Sequence, residues 1–324
     1  MNQTSEFHSL ISKLIREQQF PSTPEELYAP IEYVMSQGGK RLRPMLTLLA
    51  CDMFGGKIED ALYPALAIEV FHNFTLVHDD IMDKAPLRRG KETVYKKWNS
   101  DIAILSGDTM FAMAYQYAVR TQPAFIPKIL DVFSKAAIEV CEGQQYDMNF
   151  EQQDDVSIDD YIQMITLKTA VLLAASLKIG AVIASADEKS VQEIYNFGIS
   201  LGIAFQLQDD FLDVFGDEST FGKKNGGDIV ANKKTFLYLK AITLADKDQA
   251  RQLHQLYLDN GMNPQEKIEK VTDIFNQLEI EKSVKSTIDR YYQQAMTHLD
   301  HCTAPESRIM LMKGFADQLY QRNH

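Results

Sequence analysis

The sequence predicts an all-α fold, and three observations support this prediction. Apolar residues recur with the helical period of about 3.6 residues in five long segments, namely 58–83, 100–119, 128–149, 158–184 and 188–215. Between Pro127 and Pro264 the chain contains no proline and is rich in residues that form helices well. No series of segments alternates between apolar and polar residues as strands do. We therefore expect one large helical domain over residues 1–324.

The remaining elements can be placed in chain order. Residues 23–26 (TPEE) predict a helix start, with a hydroxyl cap, a proline in the first turn and acids at the positive end of the helix dipole. The C-terminal third, 234–322, predicts further amphipathic helices with breaks near 260–261 and 303–305. Two stretches rich in Gly, Lys and Arg, 84–98 and 216–233, interrupt the helical pattern. We expect these two stretches to be charged loops beside a functional site.

Composition argues against several classes of function. The chain has 324 residues, 45% of them hydrophobic, and a formal net charge of -12, which argues against a nucleic acid or an anionic membrane as the main partner. Its three cysteines form no CxxC pair, which is typical of a reducing compartment without structural zinc or disulfides. The N-terminal residues form no apolar signal core, and no unbroken run of about 20 apolar residues occurs. We expect a cytoplasmic protein without a transmembrane segment.

The most specific motif is an aspartate cluster that occurs twice. The first cluster, 79–83 (DDIMD), and the second cluster, 209–213 (DDFLD), each follow a long apolar helical segment. On a helix, residues i, i+1 and i+4 share one flank, so each cluster presents its carboxylates to one side. Such charges are costly unless something compensates them, and Mg²⁺ binds this kind of oxygen ligand together with substrate phosphates. The aspartates are Asp79, Asp80 and Asp83 in the first cluster and Asp209, Asp210 and Asp213 in the second.

Basic and polar residues surround both clusters. Arginine and lysine bind phosphate oxygens, and four groups of them occur here. They lie in GGKRLRP (38–44), in RRG (88–90), at Lys168 within an apolar helix, and at Lys223 and Lys233. The glycine-rich pieces do not fit a nucleotide-binding loop. His72 shares a helical stripe with the first cluster, Gln206 shares one with the second, and Gly202 allows a close approach between helices. The pattern predicts an enzyme with two phosphate sites, one of which works with Mg²⁺.

In this order, the motifs resemble those of the trans-prenyltransferases, which are the isoprenyl diphosphate synthases of the polyprenyl synthetase family. The resemblance covers about 200 residues. It runs through GGKRLRP (38–44), HDDIMD to RRG (78–90), GD (107–108), GQ (143–144), KT (168–169), GxxFQLxDDxxD (202–213) and GK to KKT (222–235). As a set these motifs are very specific. The first cluster is the short DDxxD form, whereas many bacterial farnesyl diphosphate synthases have a longer motif. A farnesyl product should therefore not be assigned to this chain by analogy with those synthases.

The resemblance implies an isoprenoid synthase-type bundle of helices around a deep central cavity, usually as a homodimer. It implies about three Mg²⁺ ions bound between the clusters with an allylic diphosphate. By motif match, the metal ligands are Asp79, Asp83 and Asp209, with Asp80, Asp210 and Asp213 close by. The allylic diphosphate is held by Arg88, Lys168, Lys223 and Lys233, and isopentenyl diphosphate is held by Lys40, Arg43, His72 and Arg89. The residues near the reacting carbons are Thr169 and Gln206. Lys233 is preferred to Lys234 because it begins K-x-T.

The implied reaction is a Mg²⁺-dependent head-to-tail (1'-4) condensation. Isopentenyl diphosphate attacks the carbocation formed from an allylic diphosphate, which could be the dimethylallyl, geranyl or farnesyl compound. The product is a short all-trans prenyl diphosphate, C20 by preference and C15 next. Two other interpretations remain open, a non-catalytic partner subunit of a heteromeric synthase and a terpene cyclase. The complete second DDxxD and GGKRLRP disfavour both.

Product length should follow the depth of the pocket beneath the first cluster. At about 1.5 Å of rise per residue, Phe74 lies roughly 7 Å and Phe71 roughly 12 Å below Asp79 along the helix. Thr75 lies one turn below Asp79 and is small, which leaves the first turn open. We expect Phe74 and Phe71 to form the floor that stops growth at C15 to C20. The alternative is that both phenylalanines belong to the ordinary core.

Overall fold

Helices form nearly all the regular structure of the computed structural model, which describes residues 3–153, 155–216, 225–259 and 261–321. The predicted all-α fold is confirmed for these residues. The first half contains α1 (Gln3–Arg16), α2 (Glu25–Ser36), α3 (Leu42–Met53), α4 (Ile58–Met82), β1 (Leu87–Arg88), β2 (Lys91–Glu92), α5 (Val94–Lys97), α6 (Ser100–Ala118) and α7 (Ile126–Gln152). The second half contains α8 (Ile158–Ile165), a π-helical turn (Thr166–Ala170), α9 (Val171–Ile183), α10 (Glu188–Phe215), α11 (Gly227–Val230), α12 (Phe236–Leu244), α13 (Lys247–Leu258), α14 (Pro264–Gln277), α15 (Ile280–Asp300) and α16 (Glu306–Gln321).

The chain divides into two compact units. The first comprises 1–135, 175–194 and 302–312, and the second comprises 136–174, 195–301 and 313–324. In the first unit α4 packs against α3 and α6, and their shared core includes Leu46, Leu66 and Phe71. In the second unit α12, α14 and α15 pack together around Leu237 and Phe275. The single domain expected over 1–324 stays a prediction.

The helix positions agree closely with the periodic segments, and three local features differ. A hairpin of two two-residue strands occurs within 84–98, too short for an alternating pattern to reveal. The first helix after residue 23 has Pro24 at its N-cap without a side-chain hydrogen bond, so the predicted hydroxyl cap is absent there. The segment 158–184 is not one regular helix, because the π-helical turn divides α8 from α9.

Residues 158–183 form the one stretch of the described chain that is long and apolar enough to cross a membrane. This stretch is not an unbroken apolar run in the sequence, because it contains Lys168 and Thr169. Within the protein, 72% of its most apolar window is buried. A core helix passes the same test of length and hydropathy, so the finding is weak evidence for a membrane segment.

Candidate active site

The three aspartates of the first cluster have different surroundings. Asp80 is 4% exposed, and its Oδ1 accepts a hydrogen bond from Arg88 Nε at 2.8 Å. Burial raises the pKa of Asp80, and the Arg88 guanidinium opposes that rise. Asp79 is half-buried, and Asp83 is exposed where α4 ends. The hairpin therefore brings Arg88 to the middle carboxylate, and the outer two are more accessible to a ligand.

The second cluster repeats this arrangement with other partners. Asp209 is exposed, whereas Asp210 is 4% exposed. Tyr161 Oη donates a hydrogen bond to Asp210 Oδ2, and Gln206 Nε2 donates one to Asp210 Oδ1 at 3.1 Å. Burial raises the pKa of Asp210 to about 8, Asp228 adds to the rise, and the two hydrogen bonds oppose it. Asp210 therefore belongs to a buried polar network, and Asp209 is the accessible carboxylate of the pair.

Asp213 connects the second cluster to the segment that follows it. Its Oδ2 accepts a hydrogen bond from the Asp228 backbone N–H at 2.9 Å, and its backbone oxygen accepts one from Gly226 at 2.5 Å. Gly226 has a φ of 86°, a left-handed conformation that glycine adopts without strain. Gly227 approaches so closely that a Cβ there would lie 3.1 Å from Asp213 Oδ1. Asp213 thus organises the turn that leads into Lys233.

A buried ion pair holds the GGKRLRP segment against α4. Arg41 Nη1 donates to Glu69 Oε1 at 2.5 Å, and Arg41 Nη2 donates to the backbone oxygens of Met35 and Gln37 at 3.0 and 2.6 Å. Asn73 Nδ2 also donates to Glu69 Oε1, at 3.1 Å. Both charged side chains are nearly inaccessible, at 7% and 3% exposure. Arg41 therefore positions the segment, and it is not available to bind a ligand.

Its neighbours form the basic group that the motifs predict. Arg43 Nη1 lies 3.1 Å from His72 Nε2, which must accept because a guanidinium only donates. Burial lowers the pKa of His72 well below its ordinary value, and Arg43 lowers it further, so the imidazole is neutral. Arg89 Nη1 donates to the backbone oxygen of Gly38 at 2.8 Å, and Lys40 is exposed. The structure thus brings Arg43 beside His72 and connects Arg89 to the glycine loop.

Lys168 and Thr169 are each held by a side chain from another helix. Lys168 Nζ lies 2.5 Å from Asp147 Oδ2 of α7, and Thr169 Oγ1 donates to Gln206 Oε1 of α10 at 3.0 Å. These residues share a cleft of the second unit. It is lined by Asp147, Tyr161, Lys168, Thr169, Gln206, Asp210 and Lys233, among others.

The lysines after the second cluster have separate positions. Lys233 lines this cleft. Lys234 also borders it, but its ammonium donates to the backbone oxygens of Phe150 and Gln153, where α7 ends. A lysine so placed satisfies carbonyl groups that a helix end leaves unpaired. This geometry favours Lys233 as the ligand-facing member. The predicted Lys223 lies outside the described residues.

The two phenylalanines of the predicted floor differ in burial. Phe71 is 1% exposed, and its ring centroid lies 5.4 Å from those of Phe74 and Phe133 and 5.8 Å from that of Phe111. Phe74 is half-buried and packs its ring against His78 at 4.8 Å. Thr75 is half-buried and donates its hydroxyl to the His72 backbone oxygen at 2.8 Å. Phe71 lies deeper in the aromatic cluster than Phe74.

Sequence reasoning missed several residues that organise the site. Glu69, Tyr161 and Asp147 each bind a motif residue from a distance of 21 to 49 positions along the chain. The only available signal was an acidic or phenolic residue on a predicted buried helix face. Gln144 of the GQ motif is 8% exposed, and neither of its amide atoms has a hydrogen-bond partner within the described part of the chain. A buried amide without a partner is unusual in a folded protein.

The carboxylates fit Mg²⁺ if substrate completes its coordination. Among the described residues no three His, Cys, Asp or Glu side chains converge closely enough to hold a metal ion. Mg²⁺ usually keeps several waters and binds through one or two carboxylates together with phosphate oxygens. Asp79, Asp83 and Asp209 supply hard oxygen donors that are wholly or partly exposed, while the middle aspartates are hydrogen-bonded to protein. The donor set thus fits a metal that arrives with a diphosphate.

Comparison with known proteins identifies the family. The sequence model of the family described as Polyprenyl synthetase matches residues 24–276. The chain belongs to the polyprenyl synthetase family. This match includes both aspartate clusters and every basic motif described above.

Individual members of the polyprenyl synthetase family are similar over most of the chain. The geranylgeranyl diphosphate synthase of Sulfolobus acidocaldarius is 39% identical, over 86% of this chain and 85% of that protein. The geranylfarnesyl diphosphate synthase of Natronomonas pharaonis is 36% identical, over 79% of each chain. A crystal structure of a geranylgeranyl pyrophosphate synthase has a TM-score of 0.95 and 44% identity, covering 100% of both chains. These similarities confirm the predicted isoprenoid synthase-type helical fold.

Proposed function

We propose that this protein condenses isopentenyl diphosphate with allylic diphosphates to form a short all-trans prenyl diphosphate. The observation that carries the proposal is the shared design of the two aspartate clusters. In each, the middle aspartate is buried in hydrogen bonds from protein, and the first is left more accessible. In such a design the buried middle aspartate is held in place by the protein, and the more accessible first aspartate can bind a metal–diphosphate complex.

The basic residues divide into two sets by the substrate they would bind. Arg43, Arg89 and Lys40 would bind isopentenyl diphosphate, with neutral His72 fixing the orientation of Arg43. Arg88, Lys168, Lys223 and Lys233 would bind the allylic diphosphate and its departing charge. Thr169 and Gln206 would present oxygen dipoles to the carbocation left when the carbon–oxygen bond breaks. Attack by the isopentenyl double bond then forms the new carbon–carbon bond, and loss of a proton to the released diphosphate restores neutrality.

The residues that would hold the metal are Asp79, Asp83 and Asp209. Bound Mg²⁺ supplies charge neutralisation on the diphosphate oxygens, which makes diphosphate a better leaving group. The protein's own contribution is to bind both substrates, orient them and keep water from the cation.

The proposed product is the C20 compound. Two of the relatives described above are named geranylgeranyl synthases and one is named a geranylfarnesyl synthase, so the products in these names differ by one isoprene unit. The half-buried Phe74, packed against Phe111 at 5.2 Å, supports a floor close to the first cluster. A floor at this position favours C20, or C15, over longer chains.

The test is an elongation assay with the purified chain alone. The enzyme is incubated with Mg²⁺, isopentenyl diphosphate and, separately, dimethylallyl, geranyl or farnesyl diphosphate, and mass spectrometry measures product length. We expect a dominant C20 product that EDTA abolishes. Products of C30 or more would keep prenyl transfer and reject the aromatic floor. No elongation with any primer would reject the proposal and favour a non-catalytic partner subunit.

We also propose that the enzyme is a soluble, cytoplasmic homodimer. The adjacent apolar side chains Ile104 and Leu105 of α6 are exposed to solvent. Exposed apolar patches often mark an interface with another protein chain. Sedimentation equilibrium should give twice the mass of 36.8 kDa. A monomer at micromolar concentration would contradict this part of the proposal.

Gln144 provides a further expected result. Leaving a buried amide without partners costs about 1–3 kcal/mol, so the Gln144→Met enzyme should be more stable than wild type by part of that amount. If the amide binds substrate, or a water molecule bound to substrate, the same variant should lose catalytic rate. Thermal unfolding and the elongation assay measure the two effects. A matched substitution at the exposed Gln145 should change neither, and a Gln144→Met enzyme with full activity would make the amide dispensable.

A further inference from the structure

The π-helical turn Thr166–Ala170 carries the two residues Lys168 and Thr169 that the proposed reaction needs. The Val171 N–H donates to the Thr166 backbone oxygen, five residues earlier, instead of the four-residue spacing of an α-helix. Such turns are rare and are commonly found at functional sites. The extra residue in the turn changes which neighbouring helix each following side chain can contact.

The helices α7 and α10 contact this turn in the same way. On α7, a Cβ at Gly143 would lie 2.6 Å from Lys168 Cα and 2.7 Å from Leu167 C, distances that no real side chain tolerates. On α10, a Cβ at Gly202 would lie 2.6 Å from Ala170 Cα. These glycines let both helix backbones touch the turn directly, as the sequence predicted for Gly202.

Each glycine is followed, four residues later, by the polar partner of a catalytic side chain. Asp147 follows Gly143 and pairs with Lys168, and Gln206 follows Gly202 and accepts the hydrogen bond of Thr169. Residues four apart lie on one face of a helix, so backbone contact and polar contact are made by the same face. The distance from helix to turn, which the glycine sets, therefore also sets the position of the polar partner.

We propose that Gly143 and Gly202 are positioning residues for prenyl transfer, which act by fixing Lys168 and Thr169 through the π-helical turn. This inference rests on the proposed function. A methyl group at either position must push the turn and its helix apart. Displacement of a catalytic group by about 1 Å can cost about 100-fold in rate.

The experiment compares Gly143→Ala and Gly202→Ala with Gly314→Ala, a helical glycine whose added Cβ would meet nothing within 4 Å. We expect both test variants to lose about tenfold to 100-fold in kcat, with the KM for isopentenyl diphosphate unchanged. Gly314→Ala should keep wild-type kcat and KM. Retention of full kcat by a folded Gly143→Ala or Gly202→Ala enzyme would overturn the inference.

A double-mutant cycle separates positioning from general destabilisation. If Gly143 acts through Lys168, the kcat loss caused by Gly143→Ala should nearly vanish in a Lys168→Ala background. Equal losses in both backgrounds would overturn the inference. Should Gly143→Ala not fold, Asp147→Asn keeps the number of heavy atoms but removes the charge that holds Lys168, and it should also lower kcat at constant isopentenyl KM. An inactive wild-type enzyme would reject the proposed function itself, whereas an active one with insensitive glycines would reject the positioning role alone.

Discussion

The Phe74→Ala enzyme should make longer products than wild type, by at least one isoprene unit, with little loss of stability. Phe74 is half-buried, so removing its ring opens space beneath the first cluster without emptying the core. Phe71→Ala should instead destabilise the protein by about 3–5 kcal/mol, because Phe71 is 1% exposed and packed among three other rings. Mass spectrometry of the products and denaturant unfolding measure the two effects.

A control distinguishes a floor residue from a core residue. Phe275 is fully buried in the second unit, on α14, and Phe275→Ala should destabilise as strongly as Phe71→Ala. The Phe275→Ala enzyme should make products with the same chain lengths as the wild-type enzyme. Unchanged product length in Phe74→Ala would reject the floor at that residue. Lengthening in Phe71→Ala beyond that in Phe74→Ala would make Phe71, rather than Phe74, the main floor residue.

Much of the fold could be predicted because helices and their ends are local properties. The segments 58–83, 100–119 and 188–215 match the observed helices Ile58–Met82, Ser100–Ala118 and Glu188–Phe215 to within one residue. Apolar periodicity over more than four turns leaves little room for another structure. The π-helical turn could not be predicted, because its residues 166–170 continue the helical pattern of the segment 158–184.

The site could be predicted as a set of residues but not as a set of contacts. DDxxD indicates where carboxylates gather, yet burial distinguishes Asp80 and Asp210 from their neighbours, and burial depends on Arg88 and Tyr161. Likewise, GGKRLRP contains three cations in sequence, and only packing shows that the middle one, Arg41, is used internally. Pairings between distant residues are tertiary information that a single sequence does not display.

The ion pair of Arg41 and Glu69 gives the other large expected effect. Glu69→Ala should lower the free energy of unfolding by about 3–5 kcal/mol, because it leaves the Arg41 charge buried without its partner. It should also raise the KM for isopentenyl diphosphate more than the KM for the allylic substrate. The reason is that Arg41, with a left-handed φ of 46°, joins the glycine loop to the helix that carries Arg43. Denaturant unfolding and steady-state kinetics measure the two consequences.

A surface pair serves as the matched control for this variant. Glu266 and Lys270 on α14 also form an ion pair, at 2.7 Å, but both side chains are about half exposed. Glu266→Ala should change stability by no more than about 0.5 kcal/mol, since solvent screens such a pair. If Glu69→Ala were equally mild, the buried pair would not be what holds the loop. If stability fell while both KM values stayed constant, the pair would support the core of the first unit without shaping the proposed isopentenyl diphosphate site.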